Sequence, residues 1–100
     1  MDFQTIFTYR ETETETIPLD DAMLVKVLIA MGIQPTKSET NGRKLRFHFI
    51  KEEADPALEK YQRAKTGIAE ALFIDVTKFI VAETIWNDAI TMMHALKPQK

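Results

Sequence analysis

The chain has 100 residues, 45% of them apolar and 28% charged, enough for one globular domain spanning residues 1–100 and too little for two. It contains no cysteine, which excludes a disulfide framework, thiolate catalysis and cysteine-based zinc or iron–sulfur sites, and makes a reducing, cytoplasmic setting the expectation. With 13 basic and 15 acidic residues the formal charge is -2, so no net field favours nucleic acid or an anionic membrane. The polar start reads as no signal peptide, and no run approaches the roughly 18 apolar residues of a membrane span.

Residues 1–10 alternate, with Phe3, Thr5, Phe7 and Tyr9 on one side and Gln4, Ile6, Thr8 and Arg10 on the other. That is the period of a half-buried strand. In the run that follows, Glu11, Glu13 and Glu15 alternate with Thr12, Thr14 and Thr16. Like charges two residues apart would share one face of a strand, so the run predicts a solvated loop and no metal site. Pro18-Leu19-Asp20-Asp21 predicts a helix start, with Asp20 as the cap, Asp21 at the positive end of the dipole and Leu19 packing back onto Leu24. From Ala22 to Met31 only Lys26 is charged, so this helix is buried on most sides, either sandwiched in the fold or covered by a partner. Gly32 ends it in the left-handed conformation.

Ile33 to Ile50 reads as a β-hairpin around Asn41-Gly42. A two-residue loop would pair Phe47 with Thr36 and Phe49 with Gln34, setting core aromatics against polar groups. A three-residue loop, Thr40-Asn41-Gly42, pairs Phe49 with Ile33, Phe47 with Pro35 and Leu45 with the stem of Lys37, and is the expected register. Pro35 then marks an edge strand. The rest is helical. Asp55-Pro56 predicts a cap and first helical residue, and Ala57, Tyr61, Ala64, Ile68 and Leu72 recur at helical spacing. Glu59 and Arg63 are placed for an ion pair, and Gly67 weakens or ends this helix. Asp75 is a second cap, for a last helix from about Val76 to Leu96 closed by Lys97-Pro98. The predicted fold is α+β, a three-stranded, mostly antiparallel sheet packed on one side by three helices in the order β-α-β-β-α-α.

Chemistry is sparse. The single serine, Ser38, sits in the hairpin with no nucleophile elbow around it. Gly32, Gly42 and Gly67 are far apart and form no phosphate-cradling loop, so no nucleotide motif is present. His48 and His94 lie on different elements without metal-ligand spacing, and His94 suits a polar helix end. Four aspartates already have capping roles. The expectation is a protein that is not an enzyme, with no catalytic residues, metal or cofactor.

Two surfaces stand out. Between Arg43 and Lys65 there are seven basic and four acidic residues, whereas positions 1–42 carry three and seven. The expected register groups Lys44, Arg46 and His48 with Ser38, Thr36 and Gln34 on a wet, mildly basic hairpin face, a surface for phosphate or an acidic protein. No aromatic residue projects there to stack a base, which favours protein over nucleic acid. On the last helix, Phe79, Trp86, Ile90 and Met93 form one apolar stripe, and Val81, Ile85, Ala89, Met92 and Leu96 another. Together they exceed the roughly 100° that one core needs, so either the helix is central in the fold or part of it is covered by another subunit or a partner, with Ile85, Met92, Met93 and Leu96 as candidates for an oligomer interface. Methionines 23, 31, 92 and 93 suit an adaptable contact or a core filler.

The capped apolar helix ending in Gly32, the segment Asn41-Gly42-Arg43-Lys44-Leu45-Arg46-Phe47-His48-Phe49, and a following helix with Tyr61 resemble a family of small uncharacterised domains associated with phages, prophages and archaea. The likeness covers residues 17–97, and the family has no established catalytic residues to carry over. It implies an accessory protein of a mobile element that acts by binding a host macromolecule, inhibiting or redirecting it. The reading is therefore a non-enzymatic interaction module and homo-oligomer with a protein partner. The rivals are a nucleic-acid-binding protein using Lys44, Arg46 and His48, and a small-molecule or nucleotide-binding oligomer with its pocket between subunits.

Overall fold

Alternation along the last hairpin strand organises the fold: Leu45, Phe47 and Phe49 are buried, while Arg46, His48 and Ile50 are half-buried on the other face. The structure, a computed structural model, describes residues 2–67 and 74–96. Its elements are β1 (Gln4–Thr8), β2 (Thr16–Leu19), α1 (Ala22–Ala30), β3 (Lys37–Thr40), β4 (Leu45–Ile50), α2 (Lys51–Lys65) and α3 (Val76–Leu96). The α+β class is as the sequence predicts, with antiparallel strands and three helices. The sheet has four strands instead of three, in the order β1-β3-β4-β2.

The added strand is β2, where a loop running into a helix start was expected. Ile17 and Leu19 pair with Phe49 and Phe47 and share their core face, whereas Thr16 and Pro18 face outward. Pro18 is tolerated because β2 is an edge strand, where a missing N–H need not break a ladder. Helix α1 accordingly starts one residue later than predicted. Asp21, not Asp20, is its cap, accepting the Leu24 N–H at 3.0 Å. Its far end follows expectation: Gly32 has φ +97°, its N–H reaches the Ile29 carbonyl, and the Ile33 N–H reaches that of Leu28.

The hairpin register differs from the expected one by three residues. Thr40 pairs with Leu45, Glu39 with Arg46, Ser38 with Phe47 and Lys37 with His48, around a four-residue loop of Asn41 to Lys44. The Asn41 Oδ1 accepts the N–H groups of Arg43 and Lys44, which fixes that loop length. An odd shift turns every β3 side chain to the opposite face. Ser38 and Thr40 thus face the core, and each is satisfied there: the Ser38 Oγ bonds the Tyr9 hydroxyl at 3.1 Å, and the Thr40 Oγ1 accepts the Gly42 N–H. Pro35 is buried just before an interior strand and marks no edge.

A bulge between Thr5 and Phe7 offsets β1 against β3, so its simple alternation breaks. Ile6 and Tyr9 reach the core, whereas Phe3 lies on the outer face over Arg46. Tyr9, Phe47 and Trp86 form a stacked column with centroids 6.0 and 5.5 Å apart. Around it pack Val25 and Leu28 of α1, Ala54 and Ala57 of α2, and Ala82, Ala89 and Met93 of α3. The alanines let the helices approach closely. Lys26, the one charge in α1, lies 6.0 Å from the Trp86 ring and 3.9 Å from Glu83 of α3.

Helix α2 follows β4 without a break, so Asp55-Pro56 is not its start. Pro56 lies inside the helix, Lys51 pairs with Asp55, and the Lys51 N–H is taken by the Glu15 carbonyl. Glu59 and Arg63 do not form an ion pair. Gly67, at φ +73°, follows the Thr66 cap, so the helix ends there. The predicted continuation through Ile68 and Leu72, and the Lys97-Pro98 stop, lie outside the described residues. Asp75 caps α3 as expected, accepting the Thr77 and Lys78 N–H groups. No described helix is long and apolar enough to cross a membrane.

Candidate functional site

All three helices bury residues on the Phe47 face, which leaves the other face of the sheet to polar side chains. Its centre is Glu39 of β3, only 7% exposed. Three cations or donors converge on it from neighbouring strand positions. The Arg46 Nε lies 2.8 Å from Oε1, the His48 Nε2 lies 2.7 Å from the same oxygen, and the Lys37 Nζ lies 3.2 Å from Oε2. The geometry follows from the register, since Glu39 is directly opposite Arg46 and flanks the Lys37–His48 pair.

Burial raises the Glu39 carboxyl, but the hydrogen bonds from Arg46, His48 and Lys37 outweigh it and hold the pKa at about 2. The carboxylate is therefore charged at neutral pH. The other ring nitrogen of His48, Nδ1, lies 3.3 Å from the Thr16 Oγ1 on β2. If Nε2 donates to Glu39, the Thr16 hydroxyl donates to Nδ1, and the ring is satisfied on both sides. The network ties β3, β4 and the edge strand β2 together across the open face.

A hydroxyl, an imidazole and a carboxylate in line have the makings of a proton relay. Here the carboxylate is shared with two further cations, so it is a poor acceptor of any additional charge. What the arrangement does is hold its cations in fixed positions. The Phe3 ring adds an apolar lid, with the Arg46 guanidinium carbon 3.5 Å from its centroid.

The sequence-derived candidates divide accordingly. Arg46 and His48 share the outer face as expected, and Lys44 is exposed in the hairpin loop beside Arg43. Thr36 and Ser38 do not join them. Thr36 is buried and donates to the His48 carbonyl, while Gln34, outside the strand, offers its carbonyl to Arg10. Glu39, Lys37, Thr16 and Phe3 were not anticipated, and Phe3 is an aromatic residue on a face predicted to have none. On α3, Met92 and Leu96 are 37% and 38% exposed, Ile85 is half-buried, and Met93 is buried in the core. Val76, Ile80 and Val81 are exposed on the same helix. Among the described residues no group of three His, Asp or Glu side chains is placed to hold a metal ion.

No protein-family model, curated protein or solved structure matches this chain.

Proposed function

We propose that the protein is a non-enzymatic interaction module that docks an acidic segment of a protein partner on the open face of its hairpin. The observation that carries this reading is the fixed cluster of Lys37, Arg46 and His48 around Glu39, flanked by Arg43 and Lys44, which form no ion pair among the described residues. One carboxylate does not balance Lys37, Arg46, Arg43 and Lys44, so the face is locally basic on a chain of net charge -2. Prior fixation of the side chains lowers the entropy lost on docking. Nucleic acid is disfavoured because the Phe3 ring is covered by Arg46 instead of being free to stack a base. An accessory role for a mobile element, acting on a host protein, belongs to the same proposal through the resemblance.

The test is titration of labelled protein with an oligo-glutamate peptide and, in parallel, duplex and single-stranded DNA, followed by amide NMR. The reading expects peptide-induced shifts centred on Arg43 to His48, lost in the Lys44→Glu/Arg46→Glu double variant and weakened by salt. Shifts with DNA alone, or none with the peptide, contradict it.

Self-association is a second contact in this proposal, supported by Val81, Met92 and Leu96 exposed along α3. A second copy of the chain is the occupant proposed. Light scattering at micromolar concentration should give a dimer that Val81→Glu and Met92→Glu convert to monomer; a wild-type monomer overturns it.

A further inference from the structure

The run of alternating Glu and Thr, residues 11–16, connects β1 at one edge of the sheet to β2 at the other, and so crosses the end of the sheet. It is anchored on both sides. At its start Arg10 pairs with Glu53 of α2 and donates to the Gln34 carbonyl at 2.8 Å; at its end the Glu15 carbonyl accepts the Lys51 N–H at 3.0 Å. Between this strap and the outer sheet face lies a pocket of about 370 Å³, lined by six threonines together with Arg10, Lys37, Glu11 and Glu13. That volume falls within the range of about 300–1,000 Å³ typical of small-molecule sites.

The lining selects a chemical class. Glu11 and Glu13 form no ion pair among the described residues and would repel an oxyanion, while the positive charges at the pocket are already matched, Arg10 by Glu53 and Lys37 by Glu39. The two free carboxylates can accept from hydroxyl donors as well as from a cation, and the ligand panel below separates the two. An apolar ligand would bury hydroxyls without partners, and no aromatic ring lines the pocket to stack a nucleobase. What remains is a dense mixture of donors and acceptors. The hydroxyls of Thr5, Thr8 and Thr14 make no hydrogen bond among the described residues. Thr12 and Thr16 add hydroxyls to the same lining.

We propose that this pocket binds a small neutral polyhydroxylated ligand of the monosaccharide class, with hydroxyls bridging the threonines of β1 and the carboxylates of the strap. The site shares Lys37 with the hairpin docking surface but takes a different ligand through β1 and the strap, so either can fail without the other.

The experiment is amide NMR of the full chain titrated to millimolar concentration with a panel of neutral hexoses, pentoses, an N-acetylhexosamine and inositol, alongside inorganic phosphate and spermidine. The proposal expects at least one neutral polyol to shift the amides of residues 5–16 and 36–37. Thr5→Val with Thr8→Val, at exposed positions, should weaken that binding about tenfold or more, with circular dichroism and thermal midpoint unchanged. Glu13→Gln should also weaken it. No shift with any neutral member, shifts outside the strap, binding of phosphate or spermidine in place of the polyols, or an unaltered affinity in the threonine variant would each overturn it.

Discussion

The two faces of β4 are built from alternate residues of one hexapeptide, yet they are held by different physics. Leu45, Phe47 and Phe49 face the helices and depend on area and shape; Arg46 and His48 face outward and depend on one buried carboxylate. The apolar face is redundant, since many contacts from four strands and three helices share the load. The polar face is concentrated, since Glu39 is the common partner of three side chains. Apolar packing thus sets stability, whereas a few charge-assisted hydrogen bonds set the shape of the candidate binding surface.

This contrast can be broken at graded cost. Phe47→Ala removes the ring between Tyr9 and Trp86 and should destabilise by about 3–5 kcal/mol, measured by urea unfolding. Glu39→Gln comes next, at about 1–3 kcal/mol at neutral pH, because three donors lose their charged acceptor. Its pH signature is specific. With its folded pKa depressed from 4.5 to about 2, Glu39 contributes stability that is fully present above about 4.5 and lost as pH falls toward 2. The Glu39→Gln variant should lack that part of the acid dependence, and an unchanged slope would show that the cluster is not formed. Ser38→Ala, which removes a hydroxyl from the core face and strands the Tyr9 OH, should cost about 1 kcal/mol. Lys44→Ala, in the exposed loop, should lie within about 0.5 kcal/mol of wild type while still weakening an acidic partner.

The apolar half of this picture was legible in the sequence. Alternating Phe47 and Phe49, the Gly32 stop and the Asp75 cap each state a local physical requirement that tertiary context did not override. The polar half was not, because it depends on pairing between strands. Expecting aromatics to avoid polar partners selected a register that put Lys37 and Glu39 on the core side. Their charge was the signal against it, since such groups are almost never buried there unpaired. Placing Glu39 opposite Arg46 satisfies both, and the local bonds of Ser38 and Thr40 remove the objection to polar groups beside Phe47. Strand β2 was masked for a similar reason: Pro18 and the acidic residues argue for loop and cap, while only Ile17 and Leu19 argue for strand. The bulge that sends Phe3 outward has no local signal at all.

The hairpin register decides which residues form the candidate site, and cross-strand backbone NOEs read it directly. The account predicts contacts linking Ser38 to Phe47 and Thr40 to Leu45, with Glu39 facing Arg46. Contacts linking Lys37 to Leu45 and Glu39 to Arg43 would return Glu39 to the core side and contradict it.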